Sequence, residues 1–270
     1  MTRRALLHLA SIVAAVAVVV AACGAAASQA PALTDPKDIL AQTVASLKDV
    51  KTVEVVGSLT GKVEAAQLGG SIDLSTTTIA GALDIPNQKG KITIDAPSLM
   101  STKLEALFVD GFAYVKMDGI LSSFVGLPAG KYLKTEIPQE SGKPVTNPSE
   151  IAQGVEDFKA QLDKLPTPPT KQPDEKCGDV DCYHVQLVIT ADDIAKMSPE
   201  AAAQAQQVKG DYTIDVWTRK TDLRPAKLSI SVKTEDMGTI GATFNFKYDS
   251  TVDVTAPPAD QVVESPAPAS

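Results

Sequence analysis

The chain has 270 residues, of which 33 are Asp or Glu and 25 are Lys or Arg, so its formal net charge is −8. An acidic chain without a basic stripe lacks the electrostatic footprint of a nucleic-acid-binding protein, and of a protein that adheres to anionic headgroups through charge. The length suits one large domain or two small ones. Composition therefore argues against charge-driven partners and leaves the fold to the pattern of apolar residues.

The first 22 residues have the three parts of a secretory signal peptide. Arg3 and Arg4 form a basic start, an apolar stretch runs to Val20, and two Ala residues precede Cys23. Small residues before a Cys resemble the bacterial lipobox, which implies that the Cys23 thiol is acylated and that cleavage makes Cys23 the mature N-terminus. An ordinary signal peptide with a chance Cys and an uncleaved anchor helix are the alternatives. We therefore expect removal of residues 1–22 and a lipid anchor on the extracytoplasmic face of the cell membrane.

Three further regions are predicted after the signal peptide. Residues 23–34 are predicted to be the lipidated N-terminus and a flexible tether, because small residues and Pro occur there without periodicity. Residues 35–254 are predicted to form the folded domain, and residues 255–270 a disordered tail rich in Ala and Pro. No later segment has the roughly 20 continuous apolar residues of a spanning helix. Membrane contact is therefore assigned to the acyl chains.

The domain is predicted to begin with a helix and to continue with strands. Pro36 to Lys48 is predicted as an amphipathic helix, since Asp35 can cap it and apolar residues from Ile39 to Leu47 recur at helical spacing. Apolar and β-branched residues then alternate with period two, which predicts an antiparallel meander. Its strands are Thr52–Thr60, Ser71–Leu83, Lys91–Asp95, Lys103–Val109 and Phe112–Met117. Asp110-Gly111 is a hairpin signal, because a type I′ turn requires positive φ at both positions.

The second half of the domain mixes helices and strands. We predict a helix at Pro148–Leu165 and a shorter one at Pro199–Val208. The predicted strands are Tyr183–Thr190, Tyr212–Thr218, Ala226–Lys233 and Ile240–Tyr248. The fold class that follows is α+β, with a single strongly curved antiparallel sheet, a half-barrel, and helices on one face. Such a sheet leaves a concave space that either side chains or a ligand must fill.

Cys177 and Cys182 are separated by four residues that include a Gly and two Asp. Such a turn can bring the two sulfur atoms together, and an oxidising compartment would keep them joined, so we predict a disulfide. A metal site is the alternative, but it needs more ligands than this pair and His184 provide. The disulfide closes a small loop and contributes about 2 kcal/mol, so it fixes a turn without holding the fold together.

Five features of the chain point to one family. They are the lipobox, the leading helix, the strand pair Leu107–Val115 with its Asp-Gly turn, and the segments Asp211–Thr218 and Leu223–Leu228. Together they resemble the LppX/LprA/LprF/LprG lipoprotein family of mycobacteria and related bacteria. This resemblance implies a fold like that of the LolA and LolB lipoprotein carriers, in which a half-barrel sheet and helices enclose an apolar cavity for a lipid or lipoglycan. The Cys177–Cys182 pair departs from the family pattern.

Apolar residues on the predicted strands and in one loop are the candidates for lining a lipid pocket. Gly119 to Pro128 is apolar where a solvated loop would be polar, so it can form the lid of a pocket or pack under the sheet as a helical turn. Trp217 can form a pocket wall or be a partly buried aromatic residue of the sheet. The predicted pocket residues are Ile92, Ile94, Leu104, Phe108, Phe112, Tyr114, Ile120, Leu121, Phe124, Val125 and Trp217.

The sequence does not favour an enzyme, and no cofactor, metal or nucleic-acid partner is predicted. It contains no Gly-rich phosphate loop, nucleophile elbow or His-Glu metal motif. His184 is interpreted as structural, and Asp192-Asp193 as acids that open a helical turn. The predicted function is a membrane-anchored envelope lipoprotein that binds and transfers a lipid or lipoglycan, with an envelope transporter as a further partner. A structural or adhesion lipoprotein with a filled core and an accessory subunit or chaperone are the alternatives.

Overall fold

The computed structural model describes residues 32–65, 70–119, 122, 130–137, 156, 158–160, 162–190, 192–193, 210–234 and 238–264. The chain divides into a unit of residues 1–34 and a compact unit of residues 35–270. The predicted signal peptide and Cys23 lie outside the described residues. No helix in the described part of the chain is long and apolar enough to cross a membrane.

The compact unit begins with helix α1, Pro36–Ser46, which a 3-10 helix at Leu47–Asp49 extends. Asp35 Oδ1 accepts a hydrogen bond from Lys37 N at 2.8 Å, which satisfies one of the backbone donors that a helix start leaves open. Ile39 and Leu40 are buried. The predicted cap and start are therefore confirmed, whereas Leu47, expected on the apolar side of the helix, is exposed.

The strands described in the structure form one large sheet and one small hairpin. The main sheet has 12 strands in the order β14-β8-β7-β6-β5-β4-β1-β13-β12-β11-β10-β9, and β2 pairs with β3 separately. The strands are β1 Thr52–Thr60, β2 Lys62–Ala65, β3 Gly70–Asp73, β4 Thr78–Asp84, β5 Lys89–Ala96, β6 Thr102–Val109, β7 Phe112–Asp118, β8 Tyr132–Glu136, β9 Thr170–Cys177, β10 Val180–Ile189, β11 Gly210–Arg219, β12 Pro225–Thr234, β13 Gly238–Tyr248 and β14 Val262–Glu264.

The main sheet is open and almost wholly antiparallel. Neighbouring strands run antiparallel from β8 to β9 in the sheet order, and only the added strand β14 runs parallel to its neighbour β8. An open antiparallel sheet with helical structure beside it is the predicted α+β half-barrel, so the fold class is confirmed.

The turn between β6 and β7 has the predicted conformation. Asp110 has φ of 53° and Gly111 has φ of 81°, and Val109 pairs directly with Phe112 across the turn. Positive φ at both central residues is the requirement of a type I′ turn. The Asp-Gly pair therefore fixes the register of these two strands.

The predicted strand Ser71–Leu83 is wrong at its centre. Leu74–Thr76 forms a 3-10 turn that separates β3 from β4. The Asp73 side chain accepts a hydrogen bond from Ser75 N at 2.9 Å, and an Asp side chain that bonds the backbone two residues later competes with strand pairing. Because apolar residues alternate on both sides of this turn, the sequence pattern alone does not reveal the break between the two strands.

The structure also adds strands that the sequence pattern does not predict. β9 is polar and contains Pro173, because it forms an end of the sheet, where charges and Pro are tolerated and apolar alternation is not required. Val262–Glu264 pair with Tyr132–Lys134 of β8. Disorder was predicted for 255–270, and it is wrong for 259–264, which form a 3-10 turn and a strand.

Two predicted helices are only partly covered by the described residues. Residues 156, 158–160 and 162–164 are helical, inside the predicted helix Pro148–Leu165, and Leu162 is buried. An ion pair between Lys37 and Asp163 joins this segment to the start of α1. The predicted helix Pro199–Val208 lies outside the described residues.

Candidate functional site

Contacts of α1 distinguish the two faces of the main sheet. Thr43 on α1 hydrogen-bonds to Thr218 on β11, with 2.7 Å between the hydroxyl oxygens. The Ser46 hydroxyl donates to the carbonyl oxygen of Leu223 at 3.0 Å. The side of the sheet that carries the Thr218 side chain is called the α1 face here, and the opposite side is called the outer face. Since side chains alternate along a strand, the pairing registers assign every strand position to one of them.

The α1 face is apolar across the width of the sheet. One row of directly paired residues runs over nine neighbouring strands, from β7 to β10, a span of roughly 38 Å at the usual strand spacing. The row consists of Met117, Leu104, Ile94, Ile79, Gly57, Phe244, Leu228, Val216 and Val185. Among the described strand positions of this face between β8 and β10, one carries a charged side chain. It is Asp181, at the hairpin end of β10.

Most of this apolar row is only half-buried. Val185 lies in the part of the sheet near α1 and is fully buried, whereas Ile79, Ile94 and Leu104 are of intermediate exposure. Leu83 on the same face is 42% exposed. An uncharged surface of this extent that keeps access to solvent has the character of a binding surface for an apolar ligand.

Glycines on β1 and β4 differ in the room above them. A Cβ atom built at Gly57 would lie 2.7 Å from the Phe244 ring, so that ring already covers the Gly57 backbone. The nearest described atoms to a Cβ atom built at Gly81 are the Lys91 carbonyl oxygen at 3.7 Å and Val55 Cβ at 4.0 Å. Both distances are ordinary van der Waals contacts, so Gly81 can accept a side chain that projects over the α1 face.

The structure divides the predicted pocket residues between the two faces. Ile92, Ile94, Leu104 and Phe108 lie on the α1 face. The residues Phe112, Tyr114 and Trp217 project from the outer face. Grouping these three with the others in one pocket is therefore wrong, because alternation places them on the opposite side of the sheet. The residues Ile120, Leu121, Phe124 and Val125 lie outside the described residues.

Phe112 and Tyr114 instead belong to a second apolar core on the outer face. Tyr114 packs with Leu107, Val109 and Tyr132 of neighbouring strands. Val252, Val254 and Val262 of the C-terminal segment complete this core. Burial of these side chains explains why the segment after β13 is ordered despite its content of Ala and Pro.

A small polar cleft of about 240 Å³ lies beside this core, with Lys91, Glu105 and Tyr132 in its wall. The Tyr132 hydroxyl donates a hydrogen bond to Glu105 Oε1 at 2.8 Å. Burial and this bond raise the pKa of Tyr132 to about 12. Burial opposes ionisation of Glu105, but the bond from Tyr132 and the Lys91 ammonium outweigh it and lower the pKa of that carboxyl. These groups satisfy one another, and residues 253–258 of the C-terminal segment line the same cleft.

A polar cluster crosses the outer face from β9 to β12 and contains Trp217. The Trp217 and His184 rings are stacked, with centroids 4.3 Å apart. From the strand on the other side, Lys227 Nζ lies 3.5 Å from the centre of the Trp217 ring. Cations over a Trp face are attracted by its π electrons. Trp217 is therefore a buried aromatic residue of the sheet between two basic side chains.

Two carboxylates fix the orientation of His184. Nδ1 lies 3.0 Å from Glu175 Oε1, and Nε2 lies 2.8 Å from Asp215 Oδ1. The indole N–H of Trp217 donates to the second oxygen of Glu175 at 3.2 Å. Both ring nitrogens of His184 are therefore occupied, which supports the structural interpretation of this residue over a role as general base. Sequence reasoning missed Glu175 because it lies on the unpredicted strand β9.

The disulfide predicted from the sequence is present. Cys177 at the end of β9 and Cys182 on β10 are bonded, with their Cα atoms 6.0 Å apart. Close to this hairpin, Asp174 forms ion pairs with Lys171 and Lys220 at 2.5 and 2.6 Å. Burial opposes ionisation of Asp174, but the two lysines outweigh it and lower the pKa of its carboxyl. The disulfide and the ion pair with Lys220 hold the end strand β9 to its neighbours, whereas the ion pair with Lys171 lies within β9.

Asp193 has the capping role expected for it. Thr190 N donates to Asp193 Oδ2 at 3.1 Å, and Asp193 N donates to Thr190 Oγ1 at 3.2 Å. These reciprocal bonds form a capping box at the start of a helical turn. No group of three or more His, Cys, Asp or Glu side chains within the described ranges is arranged to hold a metal ion.

The chain is similar to solved structures of two mycobacterial proteins, LprF and the lipoprotein LppX. LprF from Mycobacterium bovis is 14% identical over 82% of this chain and 96% of that chain, with a TM-score of 0.47. LppX from Mycobacterium tuberculosis is 16% identical over 82% and 98% of the two chains, also with a TM-score of 0.47. Both belong by name to the group that the sequence resembles.

A LolA superfamily protein from Nitrosomonas europaea is 12% identical over 84% of this chain and 97% of that chain, with a TM-score of 0.25. No protein-family model and no curated protein matches the chain. Sequence identities and TM-scores this low indicate neither a ligand nor an activity for this chain. The evidence for its function therefore comes from its own residues.

Proposed function

We propose that this chain is a lipid-anchored protein of the bacterial envelope that binds the acyl chains of a lipid or lipoglycan on the α1 face and transfers that lipid. The observation that carries the proposal is the continuous apolar row over nine strands, most of which is half-buried. The predicted Cys23 anchor and tether would hold this face near the bilayer from which the lipid comes. An envelope transporter would be the partner that delivers or receives it.

The α1 face suits acyl chains for two physical reasons. Each methylene removed from water contributes about 0.8 kcal/mol, so a long chain gains affinity from contact with aliphatic side chains alone. The described strand positions of this face between β8 and β10 carry no charged side chain apart from Asp181. Arg219 and Arg224 lie over the Tyr248 ring and Lys220 over the Tyr183 ring, so a ligand over the central strands would not have to remove water from buried charges. The small residue Gly81 leaves room for a chain to lie close to the backbone.

A pair of substitutions on β4 tests the proposal. Gly81→Phe adds a ring over the α1 face, whereas Ala80→Phe adds the same ring to an exposed position on the outer face. Binding of the fluorescent fatty acid 11-(dansylamino)undecanoic acid is measured for both variants and the unsubstituted chain. We expect Gly81→Phe to weaken binding by about ten-fold or more, because it fills space equivalent to several methylenes, and Ala80→Phe to leave binding unchanged.

The outcomes separate this proposal from a protein with a filled sheet. Equal binding by the two Phe variants would mean that the probe does not occupy the α1 face. Absence of binding by the unsubstituted chain would favour the structural or adhesion lipoprotein. Circular dichroism of both variants checks that each substitution leaves the fold intact. We expect Gly81→Phe to fold, because no described atom blocks a side chain at Gly81.

A further inference from the structure

Exposed apolar side chains are concentrated at one end of the main sheet. Among the described residues five large apolar side chains are exposed, and three of them are Leu47 at 43%, Leu83 at 42% and Ile85 at 38%. These three residues are called the apolar rim here. Isolated exposed apolar residues are common on protein surfaces, but a group of them indicates a surface with a partner.

The fold brings the apolar rim together where α1 leads into β1. Leu83 pairs with Val53 near the start of β1. The backbone N–H of Ile85 donates to the Lys51 carbonyl oxygen at 2.9 Å, immediately before β1. Leu47 lies in the 3-10 helix whose last residue is separated from β1 by two residues. All three therefore lie at the same end of the sheet.

The apolar rim is continuous with the α1 face. Leu83 belongs to both, and a Cβ atom built at Gly90 would lie 2.7 Å from Leu83 Cδ2 and 3.5 Å from Phe108 Cδ2. Leu83 and Phe108 therefore approach each other over Gly90. An acyl chain on the α1 face could leave over this end of the sheet without crossing a charged strand position.

Charges around the apolar rim do not favour a strongly charged partner. Lys48 and Lys51 are exposed, but so are Asp49 and Asp110 at the same end of the sheet. Opposite charges at similar number give little net attraction. Long lysine side chains can keep their ammonium groups in water while apolar neighbours are buried. This combination fits the interface of a lipid bilayer, whereas three side chains are too few for a stable protein interface of about 1,000 Å² or more.

We propose that the apolar rim inserts into the outer leaflet of a bilayer and sets the open end of the α1 face against the lipid surface. Insertion is driven by Leu47, Leu83 and Ile85 and depends little on anionic lipid. The inference rests on the proposed lipid-binding function, and it adds the surface through which lipid would enter or leave. It is separate from the predicted Cys23 anchor, which would keep the chain near a membrane through a flexible tether.

Vesicle binding by the chain of residues 24–270, which lacks Cys23 and contains the whole compact unit, tests the inference. The probe is sedimentation with phosphatidylcholine vesicles, with and without phosphatidylglycerol. We expect Leu47→Ser, Leu83→Ser and Ile85→Ser together to weaken binding by roughly ten-fold or more, from the apolar area they remove. Because Ile85 lies in a turn, Ile85→Ser alone should weaken vesicle binding measurably without affecting the fold. Val56→Ser is the matched control, since Val56 is 60% exposed but lies on the outer face.

Each result either supports the inference or overturns it. Loss of vesicle binding in the rim variants, with Val56→Ser unaffected and phosphatidylglycerol of little consequence, supports it. The inference is overturned if the unsubstituted chain does not sediment with vesicles, if Val56→Ser weakens binding equally, or if only anionic vesicles bind. Self-association that the rim variants abolish, without vesicle binding, would also overturn it in favour of a second copy as the partner.

A second readout separates this inference from the proposed function. Binding of dansylaminoundecanoic acid is measured on the same variants. Ile85→Ser, which leaves Leu83 on the α1 face unchanged, should keep the fatty-acid site and weaken vesicle binding, whereas Gly81→Phe should lose the fatty-acid site and keep the vesicles. If the unsubstituted chain does not bind the fatty acid, that result counts against the proposed function, whatever the vesicle experiment shows.

Discussion

Replacement of His184 by Ala tests whether the polar cluster on the outer face is structural. The hydrogen bond to Asp215, whose side chain is 18% exposed, is expected to contribute about 2 kcal/mol. The bond to Glu175, whose side chain is 46% exposed, should contribute only about 0.5 kcal/mol because water screens it. Stacking on Trp217 adds about 1 kcal/mol. The variant should therefore lose about 3.5 kcal/mol of unfolding free energy.

Guanidinium unfolding followed by far-ultraviolet circular dichroism measures this loss. For a chain of this size about 3.5 kcal/mol corresponds to a fall in Tm of about 7–14 °C. Val56→Ala is the control, because an exposed residue without such contacts should change stability by less than about 0.5 kcal/mol. A loss below about 1 kcal/mol for His184→Ala would refute the reasoning, and would mean that the cluster does not hold β9, β10 and β11 together.

Three further predictions concern the outer-face core and the anchor. Because the raised pKa of Tyr132 favours the protonated phenol in the folded chain, its contribution to stability is complete below its ordinary pKa of 10.0 and is lost as pH rises towards about 12. Tyr132→Phe should remove that part of the alkaline loss from a plot of unfolding free energy against pH, and an unchanged plot would contradict the assignment. Val254→Ala should cost about 2 kcal/mol, since Val254 is 4% exposed in the outer-face core; a cost no larger than that of Val56→Ala would show that the C-terminal segment is not packed as described. Cys23→Ser should abolish acylation and move the chain from the detergent phase to the aqueous phase of a Triton X-114 partition, whereas unchanged partition would exclude Cys23 as the anchor.

Local chemistry made several elements predictable from the sequence. Asp110-Gly111 specifies a turn through its backbone preferences alone, and Asp35 before Pro36 specifies a helix start in the same way. The Cys177–Cys182 hairpin follows from the short distance between the two residues along the chain. Each of these features depends on neighbours in sequence, so no knowledge of tertiary contacts is needed.

Tertiary context decided the features that the sequence did not predict. Phe108, Phe112 and Tyr114 were predicted to line one pocket, although alternation along the strands places Phe112 and Tyr114 on the opposite side of the sheet from Phe108. Which side faces α1 depends on the contact between Thr43 and Thr218, 175 residues apart. Strand β9 lacks an apolar pattern because an end strand does not need one. The segment from Val252 to Val262 packs on an apolar surface of the outer face and continues into a strand that pairs with β8, and neither contact follows from its own Ala and Pro content.

Native mass spectrometry of the chain of residues 24–270, purified from a lipid-rich bacterial host, tests the central claim most directly. If the α1 face binds acyl chains, the unsubstituted chain and Ala80→Phe should carry a co-purified lipid that collisional activation releases. Gly81→Phe should appear mainly at the mass of the protein alone. The protein mass alone for the unsubstituted chain, or the same bound lipid in Gly81→Phe, would contradict a lipid-binding function of this face.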